Sequence, residues 1–225
     1  AVHHGKPLSI WLLPAIFLGT ILTHLCGGSA GREGAALQMG GTIGRHAGSL
    51  FNLDDRDLRT ATMAGMAAFF SALFGTPLTA TVFAIVVISI GVVYHVAFIP
   101  CLTASLVAYW ISVELGVAPT RFSVAAPELE KLSLIHISVL LCRTLHFAEH
   151  QMKKRLPNAW LRVLVGGGAV IALTYLCGTR DYNGAGMDLI TAAVEQGTAR
   201  PEAFLLKILF TAVTLSAGFK GGEVV

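Results

Sequence analysis

Charged side chains are scarce in this chain. Asp, Glu, Lys and Arg make up only 13% of its residues, whereas 54% are hydrophobic and the mean hydropathy is +0.69. Soluble globular domains carry about a quarter charged residues, so this composition predicts a membrane protein. The net charge of +3 is small, and the sequence lacks a basic run interleaved with aromatic residues. Both features argue against nucleic acid as a partner.

Patterns typical of metal or redox sites are also missing. The cysteines are scattered through apolar segments without CxxC spacing, which predicts packing roles for all of them: Cys26, Cys101, Cys142 and Cys177. His146 and His150 are four residues apart and so share one helical face, as two metal ligands would. No third ligand is near them, and the neighbouring Glu149, Lys153 and Lys154 indicate a solvated helix end. We therefore expect neither a metal nor a cofactor.

The two ends of the chain are unusual. It opens with AVHHGKP, without an initiator methionine or a signal peptide, and it stops at GGEVV directly after a glycine-rich turn. We interpret residues 1–225 as part of a transmembrane domain that is truncated at both ends. The hexapeptide LSLIHI at 132–137 has two readings: it is what a common sequencing-transposon end would encode, and it is also an ordinary apolar helix start.

Most of the chain consists of apolar runs, and about 20 apolar residues are needed to cross a bilayer. The predicted helices are Pro7–Cys26, Glu33–Phe51, Thr60–Phe98 divided at Gly75–Pro77, Ile99–Val117, Leu132–Gln151, Val163–Cys177, Met187–Glu195 and Ala203–Ser216. Pro14 is expected to kink the first helix, and Asn52–Arg59 is expected to be a loop. A second loop, containing Lys153–Arg155 and Arg162, should be cytoplasmic by the positive-inside rule.

The stretch Gly27–Gly44 places one acidic side chain, Glu33, in a glycine-rich turn between two apolar helices. A helix that begins at Glu33 would offer unpaired N–H groups and the positive end of its dipole, which together attract anions. In a membrane such a broken helix is tolerated where it is buried in protein or lines a cavity. One interpretation is an anion pathway with a glutamate gate, and the other is a capped helix with a solvated Glu33.

The helix after this turn carries a row of small residues that should let a neighbouring helix approach closely: Gly40, Gly41, Gly44, Ala47 and Gly48. On the same helix, Gln38 and Thr42 are expected to be buried and to satisfy neighbouring backbone groups. The triplet Ser29–Gly31 recurs as Ser216–Gly218, each time after an apolar helix. Two glycine-broken helix starts in separate halves are typical of a transporter built from repeats.

Three motifs in this sequence resemble the CLC family of chloride channels and proton-coupled anion exchangers. GREGAALQMGGTIGR at 31–45 resembles the GREGP motif, and AGMAAFFSALFGTPLTATVFA at 64–84 is similar to the segment AAGxAAxFxAPLAGxxF. AGFKGGEV at 217–224 resembles the later GxFxP-type motif, in a form similar to the bacterial fluoride-selective clade. The resemblance implies an all-α polytopic membrane protein with the CLC-type fold, in which broken and re-entrant helices come from inverted repeats.

The resemblance also implies roles for individual residues. Glu33 matches the gating glutamate, whose side chain swings in and out of the anion path and carries protons. Around it, the anion-binding positions implied by the two motifs are Gly31, Arg32, Gly34, Ala35, Gly221, Gly222, Glu223 and Val224. The implied activity is proton-coupled fluoride export, not an enzymatic reaction. The implied setting is the inner membrane of a bacterium, with lipid around a homodimer.

Two departures from the family pattern keep alternatives open. Ala35 replaces the usual proline, and Ala84–Val87 reads AIVV where the family usually has one or two carboxylates. In chloride-type exchangers a glutamate there relays protons, so its absence keeps a passive voltage-gated chloride channel open as an alternative, beside a chloride-selective exchanger. Outside this family, a membrane-embedded enzyme that uses Glu33 as acid or base lacks a nucleophile–base pair or metal cluster beside it. A membrane scaffold without transport activity is a further alternative.

Overall fold

The computed structural model describes residues 9–88, 93–117, 119, 131–198, 200 and 202–222, without the side chains of 131–135. The regular secondary structure of these ranges is helical throughout, as predicted. The α-helices are α1 (Leu12–Leu25), α2 (Glu33–Leu50), α3 (Asp55–Phe74), α4 (Pro77–Val86), α5 (Phe98–Glu114), α6 (Lys131–Arg155), α7 (Ala159–Cys177), α8 (Met187–Glu195) and α9 (Ala203–Ser216). A short 3₁₀ helix, His95–Ala97, precedes α5.

The two predicted loops are shorter than expected. Within Asn52–Arg59, α3 already begins at Asp55, because the side chain of Asp54 caps it by accepting a hydrogen bond of 2.8 Å from the Asp57 N–H. In the basic loop, Lys153–Arg155 forms the last turn of α6, and Arg162 lies in the first turn of α7. Cations are favourable at a helix C-terminus, so the basic residues extend α6 and leave a connection of 156–158.

The most apolar helices fall into two length classes. The helical stretches His95–Glu114 and Ala159–Cys177 are long and apolar enough to cross a membrane, with mean hydropathies of 1.9 and 1.7. The apolar helices α1, α4 and α9 have 14, 10 and 14 residues. At 1.5 Å per residue they extend about 15–21 Å, less than the hydrocarbon core of about 30 Å. Short apolar helices of this kind are typical of broken and re-entrant segments.

Two proline predictions have different outcomes. The first helix begins at Leu12, and the predicted start at Pro7 lies outside the described residues. Pro14 therefore sits in the first turn of α1, where its missing N–H has no partner to lose, and the predicted kink is wrong. The predicted division at Gly75–Pro77 is confirmed, since Gly75 ends α3 in the left-handed conformation and Pro77 begins α4.

The described residues form two compact units. The first contains the start of α1 through Phe17 and helices α2–α5. In it, α2 and α3 pack backbone to backbone: a Cβ on Gly40 would lie 2.4 Å from the Gly65 carbonyl oxygen, and one on Gly44 would lie 2.2 Å from that of Ala61. The predicted close approach along the small residues of α2 is confirmed, because only hydrogen fits at these two positions.

Helices α3, α4 and α5 meet around buried hydroxyl groups in this first unit. Ser71, Thr81 and Ser105 are fully buried. The Ser71 hydroxyl donates to the Ser105 carbonyl oxygen at 2.8 Å, and Ser105 Oγ lies 3.0 Å from Thr81 Oγ1. An apolar cluster lies beside them, formed by Met63, Ala67, Ala84, Ile85, Ala97 and Cys101.

The second unit contains Leu18–Arg32 and helices α6–α9. In it, α6 and α7 pack against α9. Its core is formed by Val170 of α7, Phe210 of α9 and Tyr182 from the α7–α8 connection, with the two rings 5.5 Å apart. Helix α9 is therefore the central element of this unit.

Candidate functional site

The first helix break follows α1, which ends at Leu25. Gly27 adopts φ +75°, a left-handed conformation that glycine tolerates without a steric penalty. The Gly28 N–H then closes the turn on the Thr23 carbonyl oxygen at 2.8 Å. The chain passes through Gly31 before α2 begins at Glu33, so the predicted helix start at this residue is confirmed.

The second break follows α9 in the same manner. Gly218, two residues after the end of α9 at Ser216, has φ +98°. The chain can be followed from there to Gly222, and the predicted anion-binding residues Glu223 and Val224 lie outside the described residues. Both breaks therefore use a left-handed glycine two positions beyond a helix.

The two breaks are joined by a backbone pair. The Gly31 N–H donates to the Gly222 carbonyl oxygen at 3.0 Å, and the Gly222 N–H donates to that of Gly31 at 2.5 Å. A Cβ on Gly221 would lie 2.3 Å from the Ala30 Cβ, so only glycine fits there. The sequence motifs predicted Gly31, Gly221 and Gly222 for one site. The structure brings them together, although Gly31 is about 190 positions away from the other two.

This pairing also corrects the register of the internal repeat. Gly31 is four residues after Gly27, and Gly222 is four residues after Gly218. The equivalent positions are therefore four residues away from those that the repeated triplet suggested. Ser216 is the last residue of α9, whereas Ser29 belongs to the segment beyond the turn, so the two copies of the triplet are not equivalent.

The remaining predicted residues of the first motif lie at the start of α2. Arg32 is exposed, Gly34 is half-buried and Ala35 is buried with 5% exposure. Because the first turn of any α-helix has N–H groups without intrahelical partners, this turn can offer amides to an anion. Further along, Thr42 donates to the Gln38 carbonyl oxygen at 2.7 Å, as predicted. Gln38 itself is exposed, so its predicted burial is wrong.

The carboxylate of Glu33 has an unusual environment. Its Oε2 atom is enclosed, and it has no hydrogen-bond partner in the part of the chain that the structure describes. An enclosed carboxylate oxygen without a partner is costly when it is charged, because the lost hydration is not replaced. The side chain can lower this cost by moving to a position where both of its oxygen atoms have hydrogen-bond donors.

Two other predictions concern residues away from the breaks. His146 donates through Nδ1 to the Cys142 carbonyl oxygen at 2.8 Å, and Lys153 forms an ion pair with Glu149 on the exposed face of α6. This agrees with a solvated helix end. Among the described residues, no three His, Cys, Asp or Glu side chains are grouped closely enough to hold a metal ion.

One set of polar residues around the first break was not predicted from the sequence. The backbone of Gly28–Ala30 bonds to Gly184, and Ser29 also bonds to two threonines of α9, Thr211 and Thr214. A signal was present, since Lys207, Thr211 and Thr214 place polar side chains at i, i+4 and i+7 of an apolar helix.

Comparison with known proteins places the whole chain in one family. The family model described as voltage gated chloride channel matches residues 1–225. A chloride/fluoride channel protein of Pseudomonas syringae pv. tomato is 31% identical over 99% of this chain and 53% of its own length. The H(+)/Cl(-) exchange transporter ClcA of Cronobacter sakazakii is 38% identical over 38% of this chain and 19% of its own length.

A solved structure supports the same assignment. The crystal structure of a CLC-type fluoride/proton antiporter superposes with a TM-score of 0.87 at 37% identity, and the match covers 97% of this chain and 58% of that protein. The chain thus spans about half the length of the relatives that it matches throughout. It belongs to the voltage-gated chloride channel (CLC) family, whose members are membrane channels and transporters and not enzymes.

Proposed function

We propose that the complete protein exports fluoride in exchange for protons, through an anion pathway that Glu33 gates. The names of two relatives, a chloride/fluoride channel protein and a CLC-type fluoride/proton antiporter, support the substrate and the coupling. The observation that carries the gating role is the enclosed Glu33 Oε2 atom without a hydrogen-bond partner among the described residues. A charged carboxylate in that state is costly, so its side chain is stabilised by moving to a position where hydrogen-bond donors are available.

In the proposed cycle, fluoride and the Glu33 carboxylate compete for the amides at the helix breaks. Glycine amides donate directional hydrogen bonds to fluoride without a fixed cation that would hold the ion too tightly. When Glu33 takes up a proton it moves aside and fluoride passes, and the returning carboxylate blocks the path. Arg32, Gly34 and Ala35 would serve the anion at the first break, and Gly221, Glu223 and Val224 at the second. Gly31 and Gly222, whose amides bond to each other, would join the two breaks. Inward proton movement would then drive fluoride out of the cell.

We further propose that the protein works as a homodimer in the inner membrane of a bacterium, each subunit with its own pathway and surrounded by lipid. The bacterial sources of the relatives support the host. Many large apolar side chains are exposed on the membrane-crossing helices, including Ile99 and Trp110 on α5 and Trp160 and Leu176 on α7. Such faces are expected to contact lipid or another subunit.

The second candidate is a passive chloride or fluoride channel, or a chloride-selective exchanger. The observation that favours the channel over the exchanger lies at the end of α4, where Val86 and Val87 are each 45% exposed at the two positions at which the family pattern usually has carboxylates. Valine cannot relay a proton, so a proton route through these positions is absent in this chain.

Efflux from liposomes tests the two candidates. The complete gene product would be reconstituted with internal fluoride or chloride and an imposed pH gradient. Fluoride-preferring efflux accompanied by uphill proton uptake is expected. Glu33→Gln removes the titratable group at nearly constant size, so proton uptake should fall to the level of empty liposomes.

The matched control is Glu114→Gln, the same change at the exposed end of α5. It should keep both fluxes at the level of the natural protein. Equal chloride efflux, or fluoride efflux without proton movement, would favour the exchanger or channel, and no anion flux would rule out transport.

A further inference from the structure

One face of α9 carries three polar side chains, Lys207, Thr211 and Thr214, in an otherwise apolar helix. Their spacing of four and then three residues places them in one row. All three side chains are hydrogen-bonded to residues of the second unit that are distant in sequence. These partners lie in the first helix break or are themselves hydrogen-bonded to it. This row of residues 207, 211 and 214 is called the α9 brace below.

Lys207 is hydrogen-bonded to the connection between α7 and α8. Its ammonium group donates to the carbonyl oxygens of Gly184 at 2.8 Å and Tyr182 at 3.1 Å. Gly186 has φ +72°, and a Cβ there would lie 3.0 Å from the Lys207 Cε. The connection therefore folds around the lysine side chain, and its left-handed glycine permits the close approach.

The same connection is hydrogen-bonded to the backbone of the first break. The Ala30 N–H donates to the Gly184 carbonyl oxygen at 3.2 Å, and the Gly184 N–H donates to that of Gly28 at 3.1 Å. The Gly184 carbonyl oxygen thus accepts from both Lys207 and Ala30. Because this oxygen accepts from both donors, Gly184 links the Lys207 ammonium group to Ala30, which lies in the segment before Glu33.

The two threonines hold this segment directly. Thr214 Oγ1 accepts a hydrogen bond of 3.0 Å from the Ser29 N–H, and Thr211 Oγ1 lies 3.1 Å from Ser29 Oγ. Ser29, Thr211 and Thr214 are buried, with at most 1% exposure. Buried hydrogen bonds of this kind are costly to break, since water cannot replace the lost partner.

We propose that the α9 brace is a set of positioning residues that fixes the segment Gly28–Gly31 and thereby sets the gate at Glu33. The inference rests on the proposed role of Glu33. Helix α9 also continues into the second break at Gly218, and Gly31 pairs with Gly222. Helix α9 is therefore hydrogen-bonded to the first break and leads directly into the second, so a movement of α9 would displace both breaks.

Hydrogen exchange of the complete protein, followed by mass spectrometry, tests the brace without reference to transport. Lys207→Met keeps the length of the side chain and removes the donor, so the amides of 29–31 should exchange about ten-fold faster or more, as expected for loss of a hydrogen bond from a charged group. Lys207→Arg should restore much of the protection. Lys153→Met, the same change on the exposed face of α6, should leave these amides unaffected.

Thr214→Val keeps the shape of the side chain and removes the acceptor of the Ser29 N–H, so it should speed exchange at 29–31 in the same way. It serves as the second variant if Lys207→Met does not fold. Unchanged exchange in a folded Lys207→Met or Thr214→Val protein would overturn the brace.

Coupling in liposomes separates a positioning role from a merely stabilising one. A loosened gate should lower the number of protons moved per fluoride in Lys207→Met, whereas Lys207→Arg should keep it. Loss of protein stability alone would reduce both fluxes equally and leave this ratio unchanged, and that result would overturn the positioning role. If Glu33→Gln stays coupled, the gating role fails, while hydrogen exchange still decides whether the brace exists.

Discussion

Two glycines of α7 differ in what surrounds them, although they are only two positions apart. A Cβ on Gly166 would lie 2.1 Å from the Ala217 Cβ, at the turn that opens the second break. A Cβ on Gly168 would meet nothing within 4 Å. The first glycine is required by a close approach of two segments, whereas the second is not.

Gly166→Ala should therefore destabilise the protein by about 1–3 kcal/mol, the usual cost of overpacking. Gly168→Ala removes backbone freedom from a helix without a clash, so it should be neutral or stabilising by up to about 1 kcal/mol. Thermal unfolding in detergent measures both. Equal effects of the two substitutions would contradict the close contact at Ala217.

At the scale of elements, the junction of α3, α4 and α5 depends on one serine. Ser105 Oγ lies 3.0 Å from Thr81 Oγ1 and 3.0 Å from the Pro77 carbonyl oxygen, so it ties α5 to the first turn of α4. The division at Gly75–Pro77 could be predicted from sequence, since glycine and proline act on their own backbone. The tie could not, because Ser105 has no local feature that identifies its partner.

Ser105→Ala should lower the unfolding free energy by about 1 kcal/mol, in the range of hydrogen bonds measured between membrane helices. Thr103→Ala on the same helix is the matched control. Its hydroxyl is exposed and bonds only within α5. The thermal midpoint in detergent should fall for Ser105→Ala and stay nearly constant for Thr103→Ala. The reverse order would show that the junction is held by other contacts.

At the scale of the whole molecule, the charges around the start of α7 predict the orientation in the membrane. Its 19 residues are apolar enough to cross, and basic residues flank its start: Lys153, Lys154, Arg155 and Arg162. The positive-inside rule then predicts that the connection 156–158 is cytoplasmic and that Arg180, just after α7, is on the other side.

Cysteine labelling in intact bacteria tests this orientation. In a background without the four native cysteines, Arg180→Cys should react with a membrane-impermeant maleimide added outside, because Arg180 is exposed. Pro157→Cys is exposed as well and should react only after the cells are opened. Labelling of Pro157→Cys from outside would reverse the orientation, and labelling of both from one side would show that α7 does not cross.

The CLC-type fold could be predicted from the resemblance of three motifs to that family. The membrane setting and the helix start at Glu33 could be predicted from the residues themselves. These features depend on short stretches: apolar runs, glycine and proline at helix ends, and charged residues beside them act over a few positions. The lengths of the polar loops were predicted less well, since capping at Asp54 and the basic last turn of α6 extend helices into polar sequence.

The tertiary structure decided which distant residues meet. Ser29 and Thr214 are 185 positions apart, and neither residue type indicates the other. The register of the two breaks likewise followed from the pairing of Gly31 with Gly222, and not from the repeated triplet. Local sequence determines where a helix begins and ends because capping and backbone freedom are local. Which helix face bonds to the segment before Glu33 depends on packing between segments from opposite ends of the chain, and only the folded structure shows it.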